Sequence, residues 1–215
     1  MEISYLRVTG GPLATNTYIV YRGDLGFIID PGAEIEIIEN AIKNLGLRII
    51  AFIIATHGHF DHVYHSGDLS GEYNAPVIIH EADVGIMNRS GILGLVQYRK
   101  KFNKPTNIKP ISQEGKIDVN GFQLNVIHTP GHTPGSVCLQ IGSLLFTGDT
   151  LFKGTVGRTD LRGGSEKNLM RSLAKLTTLD GDFRVLPGHG EETTLREELL
   201  SNPFLNKLSK NKRAD

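Results

Sequence analysis

The stretch Ile49-Ile50-Ala51-Phe52-Ile53-Ile54 is apolar without alternation, and just beyond it stand His57, His59, Asp61 and His62. A short run of this kind, rich in β-branched residues, reads as a strand buried on both faces. Such a strand makes a rigid root for the loop that leaves it. The loop Thr56-His57-Gly58-His59-Phe60-Asp61-His62 can point the alternate side chains His57 and His59 at one centre and the next pair, Asp61 and His62, at another. The chain has eight histidines, and three of them fall in this segment beside an aspartate. Imidazole and carboxylate are the usual ligands of zinc and of non-haem iron or manganese, and neutral imidazole binds metal at ordinary pH. A strand that presents a metal loop is therefore the first constraint on the fold.

The remaining composition narrows the setting. A chain of 215 residues, 39% hydrophobic and 21% charged, suits one domain over 1–215. Lysine plus arginine balances aspartate plus glutamate at 23 each, so no overall field draws the chain to nucleic acid or to an anionic membrane. The N-terminus lacks a basic segment followed by an unbroken apolar one, and no window reaches the roughly 20 apolar residues that span a bilayer. A cytoplasmic monomer or homodimer is expected. Cys138 is the only cysteine, which excludes an internal disulfide and any cysteine-rich metal cluster. Its surroundings alternate like a strand, so Cys138 is expected as a small buried residue and not as a nucleophile.

Along the chain, Ile3–Val8, Thr15–Tyr21 and Gly26–Ile29 read as short antiparallel strands separated by turn signals. Ile35, Ile38, Ile42 and Leu45 have helical spacing, and Gly46 ends the helix. After the metal loop come a strand at Pro76–Ile79, a short helix around Glu81–Asn88, and about twenty residues expected to be irregular. Strands follow at Gln123–Ile127, Ser136–Ile141 and Ser143–Thr147. Ser165 is placed to cap a helix carrying Leu169, Leu173 and Leu176, and Phe183–Leu186 makes a last strand. Thr194 and Glu197 fit a capping box. The segment Lys207–Asp215, with Lys207, Lys210, Lys212 and Arg213, is expected to be a frayed, solvated tail. The order of elements suggests two similar α/β halves.

Three later segments each place one ligand candidate after a strand in a glycine-rich turn: Thr129-Pro130-Gly131-His132-Thr133-Pro134-Gly135, Phe146-Thr147-Gly148-Asp149-Thr150 and Leu186-Pro187-Gly188-His189-Gly190. Singly, each is an ordinary turn. Together and in this order, with the HxHxDH loop, they resemble the metallo-β-lactamase superfamily along nearly the whole chain. FTGDTLFKGTVGRTDLRGGS and HGEETTLREELLSNPFL further resemble the single-domain glyoxalase II-like hydrolases. The resemblance implies a four-layer αββα sandwich, with two mixed sheets and helices on both outer faces. It also implies two divalent metal ions, zinc above all, with iron or manganese as alternatives. His57, His59 and His132 would hold the first ion, Asp61, His62 and His189 the second, and Asp149 would bridge them. His65, His80 and His128 fall outside the pattern and are expected to be structural, and Asn16 is expected in a turn.

A pair of ions about 3.5 to 4 Å apart can lower the pKa of a shared water to about 7 and polarise a carbonyl. Asp61 would then be both ligand and catalytic base. A thioester suits such a site, because a thiol of pKa about 8.5 leaves with little help from a general acid. The resemblance implies glutathione thioesters such as S-lactoylglutathione, with Arg158 contacting the glutathione moiety; an Arg158–Asp160 ion pair that merely holds the loop is the competing role. Between Asp83 and Glu114 there is no acidic residue, but there are Arg89, Arg99, Lys100, Lys101, Lys104 and Lys109. That basic segment either attracts an anionic substrate or is a solvated loop. The rival activity is that of a persulfide dioxygenase of the same fold, with one iron on His57, His132 and Asp149. A lactamase would be expected to carry an export signal.

Overall fold

The computed structural model describes residues 2–99 and 101–211. The chain forms two compact units that divide between Ser112 and Gln113. The first contains β1 (Ser4–Gly10), β2 (Thr15–Arg22), β3 (Leu25–Ile29), α1 (Ile35–Asn44), β4 (Ile49–Ile54), α2 (Phe60–Val63), α3 (Ser66–Tyr73), β5 (Val77–His80), α4 (Glu81–Tyr98) and β6 (Ile108–Ile111). Its six strands make one sheet in chain order. β1, β2 and β3 pair antiparallel, and β3 through β6 run parallel. β4 is buried over Ile50–Ile54, as its unbroken apolar sequence requires. Phe27 of β3 stacks on Phe52 of β4 with ring centroids 4.4 Å apart. Ile38, Ala41 and Ile42 of α1 pack with Ile19, Ile28, Ile50 and Ile53. Each large apolar side chain so buried contributes about 1.5–3 kcal/mol.

The second unit contains β7 (Gly115–Val119), β8 (Phe122–His128), β9 (Val137–Ile141), β10 (Leu144–Gly148), β11 (Leu151–Phe152), β12 (Thr155–Val156), α5 (Glu166–Leu176), β13 (Arg184–Pro187), β14 (Thr193–Thr194), α6 (Leu195–Ser201) and α7 (Pro203–Asn211). Its six-stranded sheet has the order β14-β13-β10-β9-β8-β7, and β11 and β12 form a separate hairpin. Among the described residues of this sheet, β10 and β13 pair in parallel and the other neighbours antiparallel. The expected cap of α5 is present, with the Ser165 hydroxyl accepting from the Asn168 N–H. Leu169, Leu173 and Leu176 line its buried face with Val185 and Leu195. Half of the expected capping box on α6 forms: Thr194 Oγ1 accepts from Glu197 N–H, while the Glu197 carboxylate takes the Thr193 hydroxyl instead.

Several sequence expectations require correction. The helix begun at Glu81 does not stop near Asn88 but continues to Tyr98, where Arg99 at φ +54° turns the chain. Glycine concealed it, since each helical glycine lowers propensity by about 1 kcal/mol. Tertiary packing uses two of these glycines: a Cβ on Gly94 would lie 2.2 Å from the Phe60 ring, and one on Gly91 would lie 3.2 Å from that of Phe102. The residues expected to be irregular also contain β6, which pairs with β5. At the C-terminal end, α7 runs to Asn211 where a frayed tail was expected. Residues 212–215 and Lys100 lie outside the described residues. Cys138 is fully buried, and burial pushes its thiol up to about 11. Among the described residues no helix is long and apolar enough to cross a membrane.

Candidate metal centre

In the first unit, all four predicted ligands lie just beyond β4, at the carboxyl edge of the parallel strands. His57 Nε2 is 3.1 Å from His59 Nδ1, and His62 Nε2 is 3.3 Å from Asp61 Oδ2. Ligand atoms about 2.0–2.1 Å from a tetrahedral ion stand about 3.3 Å apart. Both pairs therefore have the spacing of two atoms sharing one ion.

A carboxylate that the sequence did not single out orients this loop. Asp30 follows β3, is 2% exposed and has φ +49°, a left-handed conformation open to few non-glycine residues. Its Oδ1 accepts from the Thr56 backbone N–H at 2.7 Å, while its Oδ2 accepts the Thr56 hydroxyl at 2.6 Å and His62 Nδ1 at 2.9 Å. Having given its proton to Asp30, Thr56 Oγ1 can only accept from His57 Nδ1, which is 3.2 Å away. Asp30 thereby fixes both imidazoles as Nδ1–H tautomers and leaves each Nε2 as a lone-pair donor, the arrangement that metal ligation requires.

The backbone is equally constrained. Thr17 Oγ1 donates to the Asp30 carbonyl and accepts from the Gly32 and Ala33 N–H groups, holding the turn Asp30-Pro31-Gly32. A Cβ on Gly32 would sit 1.7 Å from the Asp61 carbonyl oxygen, so only glycine fits beneath that ligand. Thr15 Oγ1 donates to Asp61 Oδ2 at 3.1 Å. From α4, Asp83 accepts from the Gly58 N–H at 2.8 Å, and the Ser90 hydroxyl donates to the Gly58 carbonyl at 2.8 Å. The residue between His57 and His59 is thus held on both sides.

The second unit repeats this logic with other parts. Its three predicted ligands follow β8, β10 and β13. Asp149 lies between two histidines: Oδ2 is 3.4 Å from His132 Nε2, and Oδ1 is 3.7 Å from His189 Nε2. A carboxylate whose two oxygens face different imidazoles suits a bridging role. His132 Nδ1 donates to the Arg158 carbonyl at 2.7 Å, which makes its Nε2 the lone-pair atom. A Cβ on Gly157 would fall 1.8 Å from the Asp149 carbonyl oxygen, the counterpart of Gly32 beneath Asp61.

The Arg158 side chain makes two bonds to Asp160, at 2.7 and 2.6 Å. This pair raises the guanidinium pKa and holds the Asp160 carboxyl down to about 2. The ion pair weighed from the sequence therefore exists, and the backbone of Arg158 has a part that the sequence did not reveal. The remaining histidines have structural partners. His65 Nδ1 lies 3.1 Å from Asp68, His80 accepts from the Ala82 N–H at the start of α4, and His128 Nε2 lies 2.9 Å from the Pro134 carbonyl. Asn16 is not in a turn: it lies within β2 and accepts the Thr9 hydroxyl.

The chain is similar to other proteins along most of its length. The chain is 37% identical over 216 residues to "Probable metallo-hydrolase YqgX" of Bacillus subtilis, covering 96% of this chain and all of that protein. It is 36% identical over 193 residues to the hydroxyacylglutathione hydrolase GloC of Haemophilus influenzae, covering 85% of this chain and 88% of that one. Among solved structures, TTHA1623 in a di-iron-bound form matches with TM-score 0.85 and 38% identity, over 93% of this chain and 100% of its own. Two mixed sheets with helices, and ligand candidates set beyond the ends of their strands, are the α/β architecture of one superfamily, whose model matches residues 10–189: the chain belongs to the metallo-beta-lactamase superfamily.

Proposed function

We propose that the chain is a dinuclear metal-dependent thioesterase acting on glutathione thioesters such as S-lactoylglutathione. His57, His59 and His132 would hold one divalent ion and Asp61, His62 and His189 a second, with Asp149 as the ligand they would share. The observation that carries this reading is the preset tautomer: Asp30 and the Arg158 carbonyl leave Nε2 of His57, His62 and His132 as lone pairs.

When bound, two ions supply hydroxide at neutral pH and a Lewis acid for the thioester carbonyl oxygen. Asp61, fixed by the Thr15 hydroxyl, accepts a hydrogen bond from the attacking water and aims it at the carbonyl carbon. The thiol departs as thiolate and needs no protein acid. Arg158, whose guanidinium is more than half exposed, binds a glutathione carboxylate by exchanging Asp160 for the substrate. The 36% identity to a hydroxyacylglutathione hydrolase supports the substrate class, and the di-iron form of a similar structure makes iron the main competitor to zinc.

The test is S-lactoylglutathione hydrolysis by the protein as isolated, after chelation, and after reloading with zinc or iron. Thiol release that is lost on chelation and restored on reloading is expected. Oxygen consumption with glutathione persulfide, without thioester cleavage, would replace the proposal with the dioxygenase.

A further inference from the structure

The segment Leu195–Phe204, which carries no ligand, reaches the ligand set of the second unit through the β11–β12 hairpin. Glu198 of α6 is 1% exposed. Its Oε2 accepts from the Gly154 N–H at 2.8 Å and from Asn202 Nδ2 at 2.7 Å, and its Oε1 accepts the Thr193 hydroxyl at 2.9 Å. Asn202 also donates to the Thr155 carbonyl at 3.2 Å. A buried carboxylate and a buried amide thus grip Gly154 and Thr155, the tip of the hairpin, from one side.

The hairpin reaches all three ligands from its other parts. Val156 leads into Gly157, which packs under the Asp149 carbonyl, and into Arg158, whose own carbonyl fixes the His132 tautomer. The Phe152 ring stands edge-on to His189 with centroids 6.2 Å apart, and Lys153 bonds Glu191, two residues beyond His189, at 2.6 Å. Asp149 itself stands two residues before β11. A two-pair hairpin is too small to hold its shape unaided, so its position is set by what grips it.

We infer that Glu198 and Asn202 are positioning residues for metal capture: by anchoring the hairpin they set the Arg158 carbonyl against His132 and keep His132, Asp149 and His189 in ligating geometry. The inference rests on these three being metal ligands. Hydrogen bonding and not charge is what the hairpin needs. In Glu198→Gln the amide oxygen can accept from Gly154 and Asn202, while its NH2 donates to Thr193, whose proton then goes to Glu197. Glu198→Ala leaves the Gly154 N–H and one Asn202 N–H unmatched, while the Thr193 hydroxyl turns to Glu197.

The experiment measures zinc affinity of the full chain by chelator competition, and the His132 ring tautomer in the metal-free protein by 15N NMR. It covers wild type, Glu198→Ala, Glu198→Gln, Asn202→Ala and, as a control, His132→Ala. Expected are an Nδ1–H tautomer in wild type, a loss of about 10- to 100-fold in affinity with an averaged tautomer in Glu198→Ala and Asn202→Ala, and recovery in Glu198→Gln. Should Glu198→Ala not fold, Asn202→Ala decides the matter alone. Folded alanine variants that keep wild-type affinity and the Nδ1–H tautomer would overturn the inference, even with a lowered Tm. A wild type that binds zinc no better than His132→Ala would instead remove the ligand assignment beneath it.

Discussion

Replacing Asp30 with asparagine changes one oxygen into an NH2 and reverses a chain of hydrogen bonds. In the parent, the carboxylate accepts three: from the Thr56 N–H, the Thr56 hydroxyl and His62 Nδ1. The asparagine oxygen can keep the first, while the NH2 then occupies the place of Oδ2 and donates to the other two. Thr56 Oγ1 must accept, so its proton turns to His57 Nδ1. His57 and His62 both move their protons to Nε2, the atoms proposed to hold metal.

The metal-free fold has every bond satisfied and loses mainly the charge assistance, which amounts to about 1–3 kcal/mol over three bonds. Asparagine also tolerates the left-handed backbone at this position. Metal binding must drive both rings back to Nδ1–H against facing donors. At about 1–3 kcal/mol for each unmatched buried group, two such clashes cost about 2–6 kcal/mol, roughly a 30- to 10⁴-fold loss of affinity. Asp30→Ala behaves in the opposite way. It leaves the Thr56 and His62 donors unmatched and puts alanine at φ +49°, so the metal-free fold loses about 3–5 kcal/mol. Calorimetry of the metal-free proteins, chelator competition and 15N NMR of the rings separate the two effects. An Asp30→Asn protein that binds zinc like the parent, or keeps both Nδ1–H tautomers, would refute the relay.

Other consequences follow from the same structure. Burial raises the Cys138 thiol from 9.0 to about 11, so the folded state holds this proton more tightly than the unfolded state. The associated stability is complete below pH 9 and is lost as pH rises towards 11; it amounts to about 3 kcal/mol. Cys138→Ala should flatten the alkaline slope of stability, and an unchanged slope would contradict this. Gly157→Ala and Gly32→Ala push a Cβ into the carbonyl beneath Asp149 and Asp61 respectively; each should lower metal content and kcat with a smaller effect on KM, as read from metal analysis and steady-state kinetics. Arg158→Ala should raise KM for S-lactoylglutathione about tenfold with kcat nearly unchanged, whereas a fall in kcat alone would remove its substrate role. The Arg158–Asp160 pair is exposed, and Asp160 has a depressed pKa. Its small contribution to stability is therefore present above the ordinary carboxyl range and disappears only as pH falls through about 2.

What the sequence disclosed, and what it hid, divides by distance along the chain. β4 was legible to the residue because a strand buried on both faces must be apolar throughout. The ligand candidates were legible because histidines beside glycine at strand ends carry local chemistry. Asp30 carries no local signal, since its partners Thr56 and His62 stand 26 and 32 residues away and only the fold brings them together. Glu198 likewise carries no local signal, since Gly154 stands 44 residues away. α4 was cut short because its glycines, unfavourable to an isolated helix, serve the packing of Phe60 and Phe102. Local patterns report local structure, and the groups that orient the ligands are contacts between distant segments.

The central claim is that each chain holds two catalytic metal ions. Native mass spectrometry with elemental analysis, on protein that hydrolyses S-lactoylglutathione, tests it directly. Two divalent ions per chain are expected, falling together with activity when Asp149→Ala removes the bridge. One iron per chain, with activity that follows oxygen uptake and not thiol release, would contradict it.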